Sequence, residues 1–291
     1  MEINSFRIRD PFILLHENKY YLYGTTRLEK DSTRGEGGGF DVFVSDDLCS
    51  FEGPYSVFEP DSDFWGKTDF WAPEVHEYNG AFYMLATFKN TGILHGVGIL
   101  KADTPMGPFR PHSEMPITPR DWSSLDGTLF IEDGKPYMVF CHEWIQIIDG
   151  TMCYAELSED LTHFVTEPKT MFAASENPHA TYSRFRDGTL GYVTDGPCMH
   201  RTPDGSLLML WASGGKGGYT EYVSRSDNGR LDGHFGNTQI FYGDNGGHGM
   251  LFRDRSGSLK FTLHAPNIPS NERAAIFSVE ETEDSISLET I

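Results

Sequence analysis

RDPFILLHENKYYLYGTT, residues 9–26, decides how the chain is read. Asp10 stands before a proline and an apolar run shaped like a buried strand, a setting that suits aspartate poorly. A Glu-Asn turn follows, then a second aromatic strand, which together make a hairpin signature. The pattern returns as WAPEVHEYNGAFYMLATF, LDGTLFIEDGKPYMVFCHEW, TDGPCMHRTPDGSLLMLWAS and GGHGMLFRDRSGSLKFTLHAPN. The first three hairpins keep strict register, because Asp10 to Tyr21, Ala72 to Tyr83 and Asp126 to Tyr137 each span 11 residues. The last two carry a longer turn.

With Asp10, Ala72, Asp126, Asp195 and His248 taken as equivalent, the repeat intervals are 62, 54, 69 and 53 residues. Between the hairpins lie further strand-like segments, FDVFVSDDL, GVGILKAD, GTMCYAELSEDL and YTEYVSRSDNG, so each unit holds about four strands. Five such units without a helix of more than a turn or two predict an all-β, five-bladed β-propeller rather than a sandwich. No linker or composition shift interrupts the series, which predicts a single propeller domain over residues 1–291. The last motif ends near residue 267, leaving chain only for the outer strands of the fifth blade.

A chain of 291 residues with 23 Lys+Arg against 43 Asp+Glu carries a formal charge of -20. That field repels phosphate backbones and anionic lipid headgroups, so no nucleic-acid or membrane partner is expected. A neutral carbohydrate, held by hydrogen bonds and aromatic faces, is compatible with it. The four cysteines, Cys49, Cys141, Cys153 and Cys198, form no CxxC pair and read as reduced, structural residues. The stretch MEINSFRIRD has no apolar signal-type segment, and no span is long enough for a membrane helix. The chain as given is expected to be soluble, and cytoplasmic unless a signal peptide has been removed. The glycine runs GEGGGF and GGKGGY lack phosphate-loop spacing and read as flexible loops. No GxSxG element supports serine-hydrolase chemistry.

In a propeller the first strand of each repeat starts at one mouth of a central channel, so Asp10, Asp126, Asp195 and His248 are predicted to converge on one axis. Polar groups crowded there are costly unless they pair, bind water or an ion, or do chemistry. Three carboxylates around a channel suit a reaction needing an acid and a base on opposite faces of a bond. Inverting glycoside hydrolysis is the clearest example, with its two carboxyls about 6.5–9.5 Å apart. Sequence spacing alone does not name this reaction.

In order, RDPFILL, FWAPEVH, SLDGTLF, DGPCMHR and GGHGMLFR resemble the blade motifs of glycoside hydrolase family 43 over residues 9–253. The resemblance implies a five-bladed propeller, an inverting mechanism, and substrates built from arabinofuranosyl, xylosyl or sometimes galactosyl units. Within the family it favours an exo-acting α-L-arabinofuranosidase or β-xylosidase over an endo-arabinanase. By position, Asp10 matches the general base, and Asp126 the residue that raises the acid's pKa and orients it. No cofactor is required. The histidine matching His248 helps hold a channel calcium or its water shell, so the resemblance places a structural calcium at His248; a satisfied hydrogen-bonding histidine is the plainer reading.

The general acid departs from the family pattern. Where the family has Glu-Gly-Pro, this chain has Asp195-Gly196-Pro197, a side chain one methylene shorter, with about 1.5 Å less reach. Asp195 is one candidate acid. Glu143, in CHEWIQ at the end of an apolar hairpin, is the other, unless it is only a salt-bridged loop residue. The third reading is a non-catalytic carbohydrate-binding propeller that has lost its acid. A protein-interaction propeller of the WD or kelch type has no matching signature. Of the five tryptophans, Trp65, Trp71, Trp122, Trp144 and Trp211, most are expected to pack between blades. Trp71 and Trp144 are singled out as ring platforms for a sugar, and Glu74 as a partner for sugar hydroxyls or for an arginine.

Overall fold

The computed structural model describes residues 1–27, 38–185 and 188–289. Each quoted motif forms a tight antiparallel hairpin, and two further strands extend it outward. The five four-stranded sheets are Arg9–His16, Lys19–Thr25, Phe40–Ser45 and Phe51–Phe58; Thr68–Tyr78, Ala81–Asn90, Ile93–Ala102 and Arg110–Pro111; Ser124–Glu132, Lys135–His142, Thr151–Glu156 and Lys169–Ala173; Asp195–Arg201, Leu207–Gly215, Gly218–Ser226 and Phe235–Tyr242; and Gly247–Arg253, Leu259–Ala265, Arg273–Glu281 and Ile286–Leu288. They are the blades of a five-bladed propeller, numbered 1 to 5 along the chain. The only α-helix among the described residues is the single turn Trp144–Ile147, and no helix is long and apolar enough to cross a membrane.

Apolar side chains from facing blades fill the wedges between them. Between blades 1 and 2, Phe40 meets Phe70 and Phe88 in tilted pairs at 5.9 and 5.8 Å, a geometry that adds to the gain from burial. Between blades 3 and 4, Phe172 packs on Trp211 at 5.0 Å. Leu208, Leu210, Phe261 and Leu263 join blade 4 to blade 5. Each sheet uses consecutive strands, so the ring is closed at the seam between blades 1 and 5 by bonds rather than by a shared sheet. The Ile8 amide donates to the Glu272 carbonyl at 3.2 Å, and Arg7 Nε pairs with the buried Glu272 carboxylate at 3.0 Å.

One irregularity repeats in every blade. From Arg9↔Thr25 to Phe12↔Tyr23 the innermost strand spends one residue more than its neighbour, and the same slip separates Trp71↔Thr87 from Glu74↔Leu85, Leu125↔Cys141 from Thr128↔Val139, Asp195↔Ala212 from Cys198↔Leu210, and Gly247↔His264 from Met250↔Thr262. These are β-bulges. The extra residue is left-handed in all five: Asp10 at φ 52°, Ala72 at 46°, Asp126 at 56°, Gly196 at 51° and His248 at 52°. Non-glycine residues resist this conformation by roughly 1–2 kcal/mol each. The equivalence drawn from sequence is therefore corrected in blade 4, where Gly196 rather than Asp195 occupies the bulge. A Cβ on Gly196 would lie 2.5 Å from the His248 ring, so the position accepts only glycine.

Two loop readings also change. GGKGGY is a hairpin, with Gly215 paired to Gly218 across a two-residue turn. GEGGGF lies in part, at residues 35–37, outside the described residues. All four cysteines are free, but Cys49 is exposed rather than part of the interior.

Candidate active site

Four of the five bulges carry the axial groups singled out from sequence, Asp10, Asp126 and His248, or stand beside one, Asp195. Asp10 and Asp126 are buried and face one imidazole: His248 Nδ1 lies 3.3 Å from Asp10 Oδ1 and 3.7 Å from Asp126 Oδ2. Asp126 Oδ2 also accepts the Gly196 amide at 3.2 Å, which ties blade 3 to the backbone beside Asp195. Asp195, only partly buried at the mouth, accepts a hydrogen bond from the Tyr219 hydroxyl at 2.9 Å. The structure thus brings Asp10, Asp126, Asp195 and His248 together.

Their environments differ in sign. Burial works against a charge on Asp10, but His248, Arg9, His264 and the Thr25 hydroxyl outweigh it and hold the carboxyl well below the usual range. Thr25 donates to Oδ2 at 2.8 Å, while Oδ1 is enclosed and has no hydrogen bond of good geometry. Asp126 is pushed well up by burial and by Asp10, against the pull of the Gly196 amide. Asp195 is pushed up to about 7 by desolvation and by Asp126, with His248 and Tyr219 opposing. One carboxylate is ionised beside two that hold protons more tightly, a division of labour suited to acid and base work.

Residues not foreseen from sequence support this ring. The Asp10 amide donates to His264 Nδ1 at 3.2 Å, so His264 carries its proton on Nε2, toward Asn267. Burial, then Arg9, depresses its pKa to about 3, so it stays neutral. The same bond recurs around the axis: Thr25 Oγ1 accepts the Ala72 amide at 2.8 Å, and Thr87 Oγ1 accepts that of Asp126 at 3.0 Å. Thr25, Thr87, Cys141, Ala212 and His264 all sit opposite the residue that precedes a bulge. Ala212 has no acceptor to offer. Its cross-strand neighbour Glu221 reaches over instead, and Oε2 accepts the Gly249 amide at 3.1 Å. Glu221 is fully buried, and its carboxyl is pushed well above the usual range by that burial. Repeated hairpin offsets, 16 or 17 residues from each pre-bulge position, were the available signal for these supports.

Other sequence candidates lie elsewhere or act otherwise. Glu143 is buried, accepts from Ser123 Oγ at 2.5 Å and pairs with His95 Nδ1 at 3.1 Å. Burial opposes its charge, yet His95 and Ser123 hold it below the usual range. A carboxylate held ionised is a poor proton donor, which argues against Glu143 as the acid. Trp144 is buried with its ring edge-on to Phe185 at 5.9 Å and Gly191 packed closely on it, so it is a wall rather than a sugar platform. Glu74 binds His76 Nε2 at 3.0 Å rather than an arginine. Trp71 remains partly exposed and lies against the His95 ring, centroids 4.8 Å apart. Among the described residues no group of three or more His, Cys, Asp or Glu side chains is arranged to hold a metal. His248 offers one nitrogen toward two carboxylates, whereas calcium takes six to eight oxygens. The donor set does not make the calcium site implied by resemblance, and no chemical step is routed through an ion.

Comparison with known proteins agrees with the propeller fold. An endo-arabinase from Bacteroides thetaiotaomicron is 36% identical, with 98% of each chain covered and a TM-score of 0.89. A xylosidase/arabinosidase 43A from Humicola insolens is 26% identical over 152 residues, 49% of this chain and 46% of that protein. A probable arabinan endo-1,5-alpha-L-arabinosidase A from Emericella nidulans is 31% identical over 159 residues, 50% of this chain and 45% of that one. The matched region spans about half the length of these curated relatives. The profile of glycosyl hydrolases family 43 matches residues 3–279, almost the whole propeller, and the chain belongs to that family.

Proposed function

We propose that this chain hydrolyses α-L-arabinofuranosidic bonds in arabinan-type chains with inversion, using Asp10 as base, Asp195 as acid and Asp126 as the residue that raises the acid's pKa. The observation that carries the proposal is the split among three carboxyls sharing one axis: Asp10 held low, Asp126 and Asp195 held high. The Asp10 carboxylate takes the proton of the attacking water as the water oxygen bonds to the anomeric carbon. Asp195 gives its proton to the departing glycosidic oxygen on the opposite face. Asp126 raises the acid's pKa because charge on both carboxyls at once is disfavoured, and it fixes the backbone beside the acid through the Gly196 amide. Tyr219 orients the acid, and its hydrogen bond reduces the freedom of a side chain shorter than the family's glutamate.

Arabinose is preferred to xylose because the 36% identical structure is named an endo-arabinase. The same name moves the reading from the exo action favoured by sequence resemblance toward an endo action. The test is incubation with linear arabinan, arabino-oligosaccharides and xylo-oligosaccharides, following product size and anomer by NMR. Short arabino-oligosaccharides of inverted configuration are expected, and Asp10→Asn should lower turnover on the order of 10²–10⁴-fold. Products of retained configuration would overturn the mechanism. Sugar binding without turnover in the native protein would favour the carbohydrate-binding reading instead.

A further inference from the structure

Beside the catalytic ring, between blades 2 and 3, stands a second ionic assembly for which the proposed mechanism has no use. His95 is buried, with Nε2 2.8 Å from Asp69 Oδ2 and Nδ1 3.1 Å from Glu143 Oε2. Both ring nitrogens face carboxylates, so the ring is held as an imidazolium. Lys89 approaches Asp69 at 3.8 Å from the other side. The partly exposed Trp71 ring covers His95.

Glu143 is the unusual member. Oε2 carries both of its hydrogen bonds, from Ser123 and His95, while Oε1 takes none. The side chain is only 6% exposed, and Oε1 has no hydrogen-bond partner among the described residues. A carboxylate oxygen left in this state calls for a donor. Its surroundings say where that donor arrives. Glu143 follows the strand that pairs with Ser124–Glu132, its amide bonds the carbonyl of Ser123 at 2.8 Å, and its charge is felt by Asp126. It therefore stands at the mouth from which substrate reaches the catalytic ring. Trp71, one residue before the blade 2 bulge, borders the same opening.

We infer that Glu143 Oε1 and the Trp71 ring form a sugar subsite between blades 2 and 3, in which Glu143 accepts a hydrogen bond from one hydroxyl of the substrate and so sets specificity. His95 is the positioning residue: pinned by Asp69 and Glu143, it fixes the carboxylate's rotation and backs the tryptophan ring. The ligand class is a neutral furanose or pyranose unit with a free hydroxyl, stacked by its C–H face on an aromatic ring. This inference rests on the hydrolase reading for its substrate, but not on the assignment of the acid.

The test compares native protein with Glu143→Gln and Trp71→Leu on a parent aryl arabinofuranoside and its mono-deoxy analogues. One deoxy position should lower kcat/KM in the native enzyme by roughly 10–100-fold, the range for a hydrogen bond to a charged group. Glu143→Gln should lose a similar factor on the parent and nothing further on that analogue, and its dependence on leaving group should stay native. Equal losses on every analogue, or a changed leaving-group dependence, would overturn the subsite. Trp71→Leu leaves the buried ion network intact; it should raise KM more than it lowers kcat, and an unchanged KM would count against the platform. If native protein turns over no glycoside, the hydrolase reading fails separately, and titration of arabino-oligosaccharides into Asp10→Asn with and without Glu143→Gln decides the subsite. Weaker binding in the double variant supports it, and equal binding sinks it.

Discussion

Asp195 is the residue on which activity and stability pull in opposite directions. Its pKa near 7 means that the folded protein holds a proton there that the unfolded chain, near the ordinary carboxylate value of about 3.9, gives up. Between those limits the folded state binds more protons, so its stability falls as pH rises through this window. Asp10 works the other way. Its depressed pKa contributes stability above the ordinary value that is lost as pH falls below it. Asp195→Asn removes the charge that desolvation and Asp126 disfavour without changing shape, so the variant should melt at a higher temperature than the native protein at pH 8 and at nearly the same temperature at pH 4, as followed by thermal denaturation. Its kcat/KM should collapse on a substrate with a poor leaving group and hold up on an activated aryl glycoside. In the native enzyme the activity should decline as pH rises through about 7, and native-like decline in Asp195→Asn would remove Asp195 as its source.

At the scale of the hairpin, the left-handed bulge aims each axial residue, and its strain is offset by an acceptor from the preceding blade. Thr25, Thr87 and His264 supply that acceptor from the second strand, and Glu221 supplies it from the third, because Ala212 cannot. Glu221→Val leaves the Gly249 amide unpaired and should cost about 1–3 kcal/mol, together with activity, since His248 is aimed by that bulge. Adding Ala212→Thr copies the arrangement of blades 1 and 2 and should recover much of both losses. Urea unfolding and kcat/KM of the single and double variants measure this, and a double variant no better than Glu221→Val would refute the equivalence. The same geometry explains what the sequence disclosed. Asp10 and Asp126 are legible because a side chain marks the bulge and the 11-residue register repeats. Blade 4 misleads because its bulge is Gly196, without a side chain, so attention falls on the acid one residue earlier. His264 stands at the repeated hairpin offset but acts on Asp10 across a blade boundary, 254 residues away, and Glu221 stayed hidden because it lies on the third strand, outside that offset.

For the whole molecule, the seam between blades 1 and 5 carries the ring. Glu272 is fully buried, lies 3.0 Å from Arg7 and 3.9 Å from Arg9, and its carbonyl bonds the Ile8 amide. Removing one partner of a buried ion pair leaves the others uncompensated, so Glu272→Ala should cost about 3–5 kcal/mol in urea unfolding, more than a surface pair such as Lys135–Glu156. A loss under about 1 kcal/mol would mean the ring is held elsewhere. Five blades and four strands per blade were readable from repeat length alone. Ring closure was not, because it depends on residues at opposite ends of the chain that meet only after the ring is complete.

Asp10 belongs to blade 1, whereas His248 and His264, which surround its carboxylate, belong to blade 5. The join that holds the circle shut therefore runs through Asp10, the proposed base. A molecule that parts there, with every sheet intact, loses the two imidazoles that hold the Asp10 carboxylate and amide in place. Enzymatic turnover is thus a gauge of whether the ends of the chain remain fastened, and it should vanish at a lower urea concentration than the circular dichroism of the blades.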